Sequence, residues 1–307
     1  MKLSQIRSNL AIICLSALTI TGCAANQPDA KTTNNPAPAP AEATTGKPTE
    51  ATAQAAGGKA VDLTAPIAQY KVYATQEVNQ LTTKTKAFTD AVIAGNLPLA
   101  QKLYAPTRVH WERAEPIAEA FSDLDGSMDQ RADKFEQKEK DPKFTGWHRL
   151  EMMLFQDKTT KGTKELAANL MKDTLELQKR MKTLVIEPKT MVGGAAGLIE
   201  EVAANKISGE EDRYSRTDLW DFAANVDGSQ KIVELLRPAL TTANPELLKR
   251  VDSNFAKVTT GLAKYKTADG GYQAYDKLKD GDRKDLKGAI TLLAEDLSKL
   301  RGTLGVE

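Results

Sequence analysis

P-I-A-Q-Y-K-V-Y-A-T-Q-E-V-N-Q-L-T-T-K-T-K-A-F-T-D-A-V-I-A, residues 66–94, carries Ile67, Tyr70, Val72, Tyr73, Val78, Leu81, Phe88 and Val92, many of them at three- and four-residue steps. That period places them on one stripe of an α-helix, and Gly95-Asn96 supplies the stop. The same signature recurs down the chain. Leu97–Tyr104 forms a short helix, and Pro106 suits the first turn of another over Thr107–Glu115 that runs on towards Phe121. Pro116 cannot donate to the carbonyl of residue 112, so the backbone kinks there. Gly146–Phe155 reads as a central helix and Gly162–Val185 as a long amphipathic one. Pro188 breaks the pattern, and further helical runs follow at Ile199–Ile207, Leu219–Val226, Lys231–Leu240, Pro245–Tyr265 and Asp282–Leu300. No run keeps a period of two, so the expected fold is all-α: two four-helix-type bundles in tandem, about 61–187 and 188–307.

The residues before this are of another kind. Lys2 and Arg7 precede an apolar stretch, Leu10–Ile20, too short to span a bilayer comfortably, so residues 1–22 read as a signal peptide. Ile20-Thr21-Gly22-Cys23 resembles a lipobox, which makes Cys23 the lipidated first residue of the mature chain. Residues 23–60, rich in Ala, Pro and Thr, then read as a flexible tether with too few large apolar groups to offset the entropy of ordering. Ala24 in place of an aspartate favours the outer membrane of a Gram-negative host over the inner, with the folded part in the periplasm.

Composition excludes several functions. A formal charge of +1 on 307 residues gives no support to a nucleic-acid partner. There is no H-E-x-x-H, G-x-S-x-G or C-x-x-C, and two histidines cannot build a three-histidine zinc site. The acidic stretch Ser122–Asp133 fails as a calcium loop, because counting from Asp123 the sixth residue is Met128 rather than glycine and the twelfth is Lys134 rather than glutamate. Gly193-Gly194-Ala195-Ala196-Gly197 lacks the lysine and the preceding strand of a phosphate cradle, and reads as close helix packing.

What remains is acidic helix faces around a histidine. In G-W-H-R-L-E, His148 and Glu151 stand three residues apart and share a helix face. Glu112 and Glu115 in W-E-R-A-E-P have the same spacing. Such residues are by composition more often packed or solvated than ligands. Here Trp111, Ile117 and Phe121 flank one pair, and Trp147, Leu150, Met153 and Leu154 the other, so both segments face a core. Carboxylates gathered beside a core resist desolvation unless a cation or a proton compensates them.

Four segments in order, W-E-R-A-E-P-I-A-E-A-F (111–121), D-L-D-G-S-M-D-Q-R-A-D (123–133), G-W-H-R-L-E (146–151) and G-E-E-D-R-Y-S-R-T-D-L-W-D-F (209–222), resemble the imelysin-like proteins, the family that includes the EfeO/EfeM-type components of bacterial iron uptake. The resemblance runs from Val61 to Glu307. It implies a metal site built from Glu112, Glu115, Asp129, His148 and Glu151. Such a hard, mostly oxygen donor set suits iron, and takes zinc or copper less selectively. The implied role is non-catalytic: a lipid-anchored periplasmic protein that captures iron for an inner-membrane permease, with a periplasmic peroxidase as a further partner of the system. Residues 24–59 are too short and polar for the cupredoxin domain of the long form, so the short form is expected. Arg216 stands in Y-S-R-T-D-L where many relatives have histidine, which leaves the role of that position open.

Two other functions compete. Imelysin-type proteins have been grouped with metallopeptidases, where Glu115 would be the base that activates water. Some relatives bind acidic polysaccharide, and Lys134, Lys138, Lys140, Lys143, Arg149, Lys158 and Lys161 flank the expected site and suit a polyanion.

Overall fold

The computed structural model describes Thr52–Gln54 and residues 60–306. The expected signal segment 1–22, Cys23 and most of the tether lie outside the described residues. Two short strands, β1 (Thr52–Gln54) and β2 (Ala60–Asp62), pair antiparallel with Ala53 opposite Val61. β1 falls inside the stretch read as tether. All other regular structure among the described residues is helical.

The first helical group is α1 (Thr64–Ile93), α2 (Leu97–Ala114), α3 (Ser122–Met128), α4 (Gly146–Glu151) and α5 (Lys164–Thr183). α1 packs along α2 and α5. The second is α6 (Pro188–Ala204), α7 (Asp218–Ala243), α8 (Pro245–Ala263), α9 (Asp280–Leu297) and α10 (Leu300–Leu304). There α7 packs on α6 and α8, and α9 on α6 and α8. The groups meet where α2 lies against α7, and one continuous apolar core runs from Leu63 to Val306 through both. Fully burying each of its large side chains contributes about 1.5–3 kcal/mol, which explains how long-range packing overrides local signals.

Two such overrides correct the expected boundaries. Pro106 does not begin a helix but sits inside α2, which continues from Leu97 to Ala114. Its face of Ala100, Tyr104, Ala105 and Trp111 is buried throughout, and that burial outweighs the roughly 3 kcal/mol cost of an interior proline. The expected break between Leu219–Val226 and Lys231–Leu240 is likewise absent. α7 passes through Asp227-Gly228-Ser229 because Phe222, Val226, Val233 and Leu236 form one buried stripe.

The kink at Pro116 is present: α2 ends at Ala114 and Glu115–Phe121 is a 3₁₀ segment. The acidic stretch from Ser122 starts with α3. The central helix is α-helical only to Glu151 and continues as a π-helical turn over Met152–Gln156. A Cβ on Gly194 would lie 1.8 Å from the carbonyl oxygen of Pro116. The glycine cluster therefore serves close packing of α6 on the kinked segment.

Candidate metal centre

α4 is delivered to α3 by backbone contact. Gly146 has φ +71°, and a Cβ there would lie 2.1 Å from the carbonyl oxygen of Met128. Only glycine meets both demands. Trp147 anchors the same turn against Phe88 and Tyr104, with ring centroids 5.3 and 6.1 Å away. His148 is thereby set beside Asp129, the residue that ends α3.

Three further segments complete the centre. α2 presents Arg108 and Glu112 one turn apart, and the 3₁₀ segment that follows it begins with Glu115. The 3₁₀ turn Lys206–Ser208 and the loop after it bring Lys206, Glu211 and Asp212. α7 adds Asp218, Asp221 and Asn225. All of these are buried except Glu115, whose side chain keeps 11% of its exposure.

The imidazole is held by one nitrogen. Nδ1 of His148 lies 3.2 Å from Glu151 Oε2. The other Glu151 oxygen accepts from the Tyr214 and Ser215 amides at 2.9 and 2.7 Å and from the Ser215 hydroxyl at 2.9 Å. Nε2 has no hydrogen-bond partner among the described residues, although the residue is only 1% exposed. It points between Asp129 Oδ1 at 3.5 Å and Glu211 Oε1 at 3.9 Å. A buried, orphaned ring nitrogen flanked by two carboxylates could hold a metal ion, with Glu151 fixing the ring from its other nitrogen.

The remaining acids are paired with cations of the chain. Arg108, fully buried, donates Nε to Asp221 Oδ2 at 2.8 Å, Nη1 to Asp129 and Nη2 to Glu112. Lys206 Nζ donates to Glu112 Oε2 at 3.0 Å and to both Glu115 oxygens at 2.9 and 3.0 Å, and lies 3.5 Å from Glu211 Oε1. Asn225 Nδ2 also binds Glu112 Oε2 and Glu115 Oε2, at 2.8 and 2.7 Å. Arg131 takes the second oxygen of Glu211 at 2.6 Å. Asp212 instead accepts from neutral hydroxyls, those of Tyr104 at 3.0 Å and of Thr217.

These surroundings set the protonation states. Burial pushes the Asp212 carboxyl up to about 8, with the charge of Glu151 adding to it. Burial also raises Asp221 well above the carboxylate range, against the pull of Arg108. Glu112 and Glu211 go the other way. Burial opposes their ionisation, but Lys206, with Arg108 in support, holds both below the usual value. For His148, burial and Arg108 disfavour the imidazolium, and the Glu151 hydrogen bond with the charges of Asp129 and Glu211 outweighs them, so its pKa is raised.

Of the five expected ligands, Asp129, His148 and Glu151 meet directly. Glu112 accepts instead from the Arg108 guanidinium, and it shares Lys206 and Asn225 with Glu115. Glu211, Asp212, Asp221, Arg108 and Lys206 were not singled out from sequence. Glu211, Asp212 and Asp221 all lie in the quoted 209–222 segment, and Arg108 stands one helical turn before Glu112. Among the described residues, three sets of ligand atoms lie within 4.8 Å of one another: Asp129, His148 and Glu211; His148, Glu151 and Asp212; and Glu112, Glu211 and Asp221. Arg216 points elsewhere, donating to Asp276 Oδ1 at 2.8 Å and to the Gly209 carbonyl at 2.9 Å.

Residues 66–300 match the family model for imelysin, Peptidase_M75. The chain is 67% identical over 242 residues to the iron uptake system component EfeO of Yersinia pseudotuberculosis serotype I (strain IP32953), an alignment covering 79% of this chain and 64% of that protein. It is 65% identical over 241 residues to the protein of the same name from Escherichia coli (strain K12), covering 78% of this chain and 64% of the relative. The chain thus spans less than two thirds of the length of these relatives. With the family model matching most of its length, the chain belongs to the imelysin family.

Proposed function

We propose that this protein captures iron in the periplasm and passes it to an inner-membrane permease, held to a membrane through lipidated Cys23. The observation that carries the binding role is the orphaned Nε2 of His148, buried between Asp129 and Glu211. The metal is cargo. Its ligands are His148 Nε2 and carboxylate oxygens of Asp129 and Glu211, with Glu151 orienting the ring and Glu112 and Glu115 in reserve on the access side. Oxygen-rich coordination with a single imidazole favours a hard cation, and iron is the choice the names of the relatives support.

Binding rather than hydrolysis is the better reading of the geometry. A metallopeptidase needs a free carboxylate to activate water at the metal. The expected base, Glu115, has both oxygens engaged by Lys206 and Asn225. Titrating the mature chain with iron, alongside His148→Ala, tests the proposal. Strong binding that is lost in the variant supports it, and equal affinity in both sinks the site assignment.

A further inference from the structure

Beside the buried centre lies a surface cleft of about 610 Å³ in whose lining the acids Glu115, Glu119, Asp125 and Glu201 outnumber the cations Lys189 and Arg301. Glu115 belongs to both cleft and centre, because its two oxygens hold the Lys206 ammonium. Lys206 also reaches inward, to Glu112 Oε2 at 3.0 Å and to Glu211 Oε1 at 3.5 Å. That same Glu211 oxygen is 3.9 Å from His148 Nε2. Carboxylates therefore run from the cleft to the histidine without a gap, and a lysine sits across them.

We infer, building on the iron-binding role proposed above, that this cleft is the metal's way in and that Lys206 is a resident cation which incoming iron displaces. Four carboxylate oxygens within 3.5 Å of one ammonium form a cation nest already built and desolvated. A metal ion arriving at Glu115 takes over the charges that Lys206 releases, so no buried carboxylate is left uncompensated during the exchange. Lys206 is suited to move: it projects from a one-turn 3₁₀ segment, on a flexible four-carbon stem. Arg108 is not, since its three nitrogens are forked onto Asp221, Asp129 and Glu112 from the middle of α2. Outside, Glu119 and Glu201 are exposed and concentrate cations at the mouth.

Stopped-flow mixing of the full mature chain with ferrous iron under anaerobic conditions tests this. Lys206→Gln, which keeps the stem length and removes the charge, takes up iron about tenfold faster and more tightly than wild type, while Lys206→Arg stays slow. In a Glu119→Gln/Glu201→Gln double variant, whose changes are confined to exposed positions, association slows several-fold at low salt and the deficit shrinks at high salt. That variant carries the test if Lys206→Gln does not fold. Unchanged rates in the double variant, or slower and weaker binding in Lys206→Gln, overturn the inference. A wild-type chain that binds no iron at all would instead refute the underlying function.

Discussion

Glu112 and Glu151 are both fully buried carboxylates at the same centre, yet they are held in opposite ways. Glu112 is neutralised by Arg108, Lys206 and the Asn225 amide. Glu151 receives only neutral donors, the Tyr214 and Ser215 amides and the Ser215 hydroxyl, besides the ring of His148. The α2 side of the centre is thus a closed set of ion pairs, whereas the α4 side stores negative charge next to an unpaired nitrogen. An added cation gains most on the α4 side, where nothing of the chain's own competes for His148. Asp129 and Glu211 stand between, each shared by a chain cation and by the histidine.

The contrast can be broken by mutation. Glu112→Ala should cost about 3–5 kcal/mol of stability in denaturant unfolding, because it leaves Arg108 and Lys206 buried and short of a counter-charge. Glu151→Ala strands two amides, a hydroxyl and one nitrogen of the His148 ring rather than an arginine and a lysine, so its stability loss should be smaller, about 1–3 kcal/mol. Metal binding should rank the other way. His148→Ala removes the ligand nitrogen and is expected to weaken iron binding at least about 100-fold, and Glu151→Gln about 10–100-fold by releasing the ring, as calorimetric titration would show.

Protonation sharpens the same comparison. Asp212, pushed up to about 8, and Asp221, also raised well above the carboxylate range by burial, hold protons in the fold that they lose when unfolded. A folded state that binds more protons loses stability as pH rises, so the metal-free chain should weaken steadily from about pH 5 to pH 8. The raised His148 acts in the same direction, while Glu112 and Glu211 are already ionised across this window. Metal bound at Nε2 must displace the His148 proton, and its affinity should therefore climb with pH while that imidazole is protonated, about tenfold per unit for the one proton released. Thermal melts with and without metal should diverge most at the alkaline end. The smallest effect is expected far from both walls. Arg237 and Asp252 form a pair of which each member is more than two fifths exposed, and Arg237→Ala should change stability by less than about 1 kcal/mol.

The helical architecture was legible because apolar residues recur at helical spacing, and Gly146-x-His148-x-x-Glu151 was legible because both functional groups fall on one turn. The cations were not. Arg108 meets Asp221 from 113 positions away, and Lys206 meets Glu112 from 94 away. Periodicity reveals which face of a helix is buried, not what another helix presents to it. Pro106 and Asp227-Gly228 misled for the same reason: local breaking tendencies of a few kcal/mol yielded to the apolar stripes that α2 and α7 bury against each other. Glu112 and Glu115 were legible as a pair from their helical spacing, but that both carboxylates share Lys206 and Asn225 was not.

The most direct test of this account is anomalous scattering from crystals of the mature chain grown with iron. The predicted result is an iron ion about 2 Å from His148 Nε2, bonded also to Asp129 and Glu211, with the Nδ1 contact to Glu151 retained. An iron ion coordinated by Glu112 and Glu115 alone, with His148 Nε2 still unliganded, would contradict it.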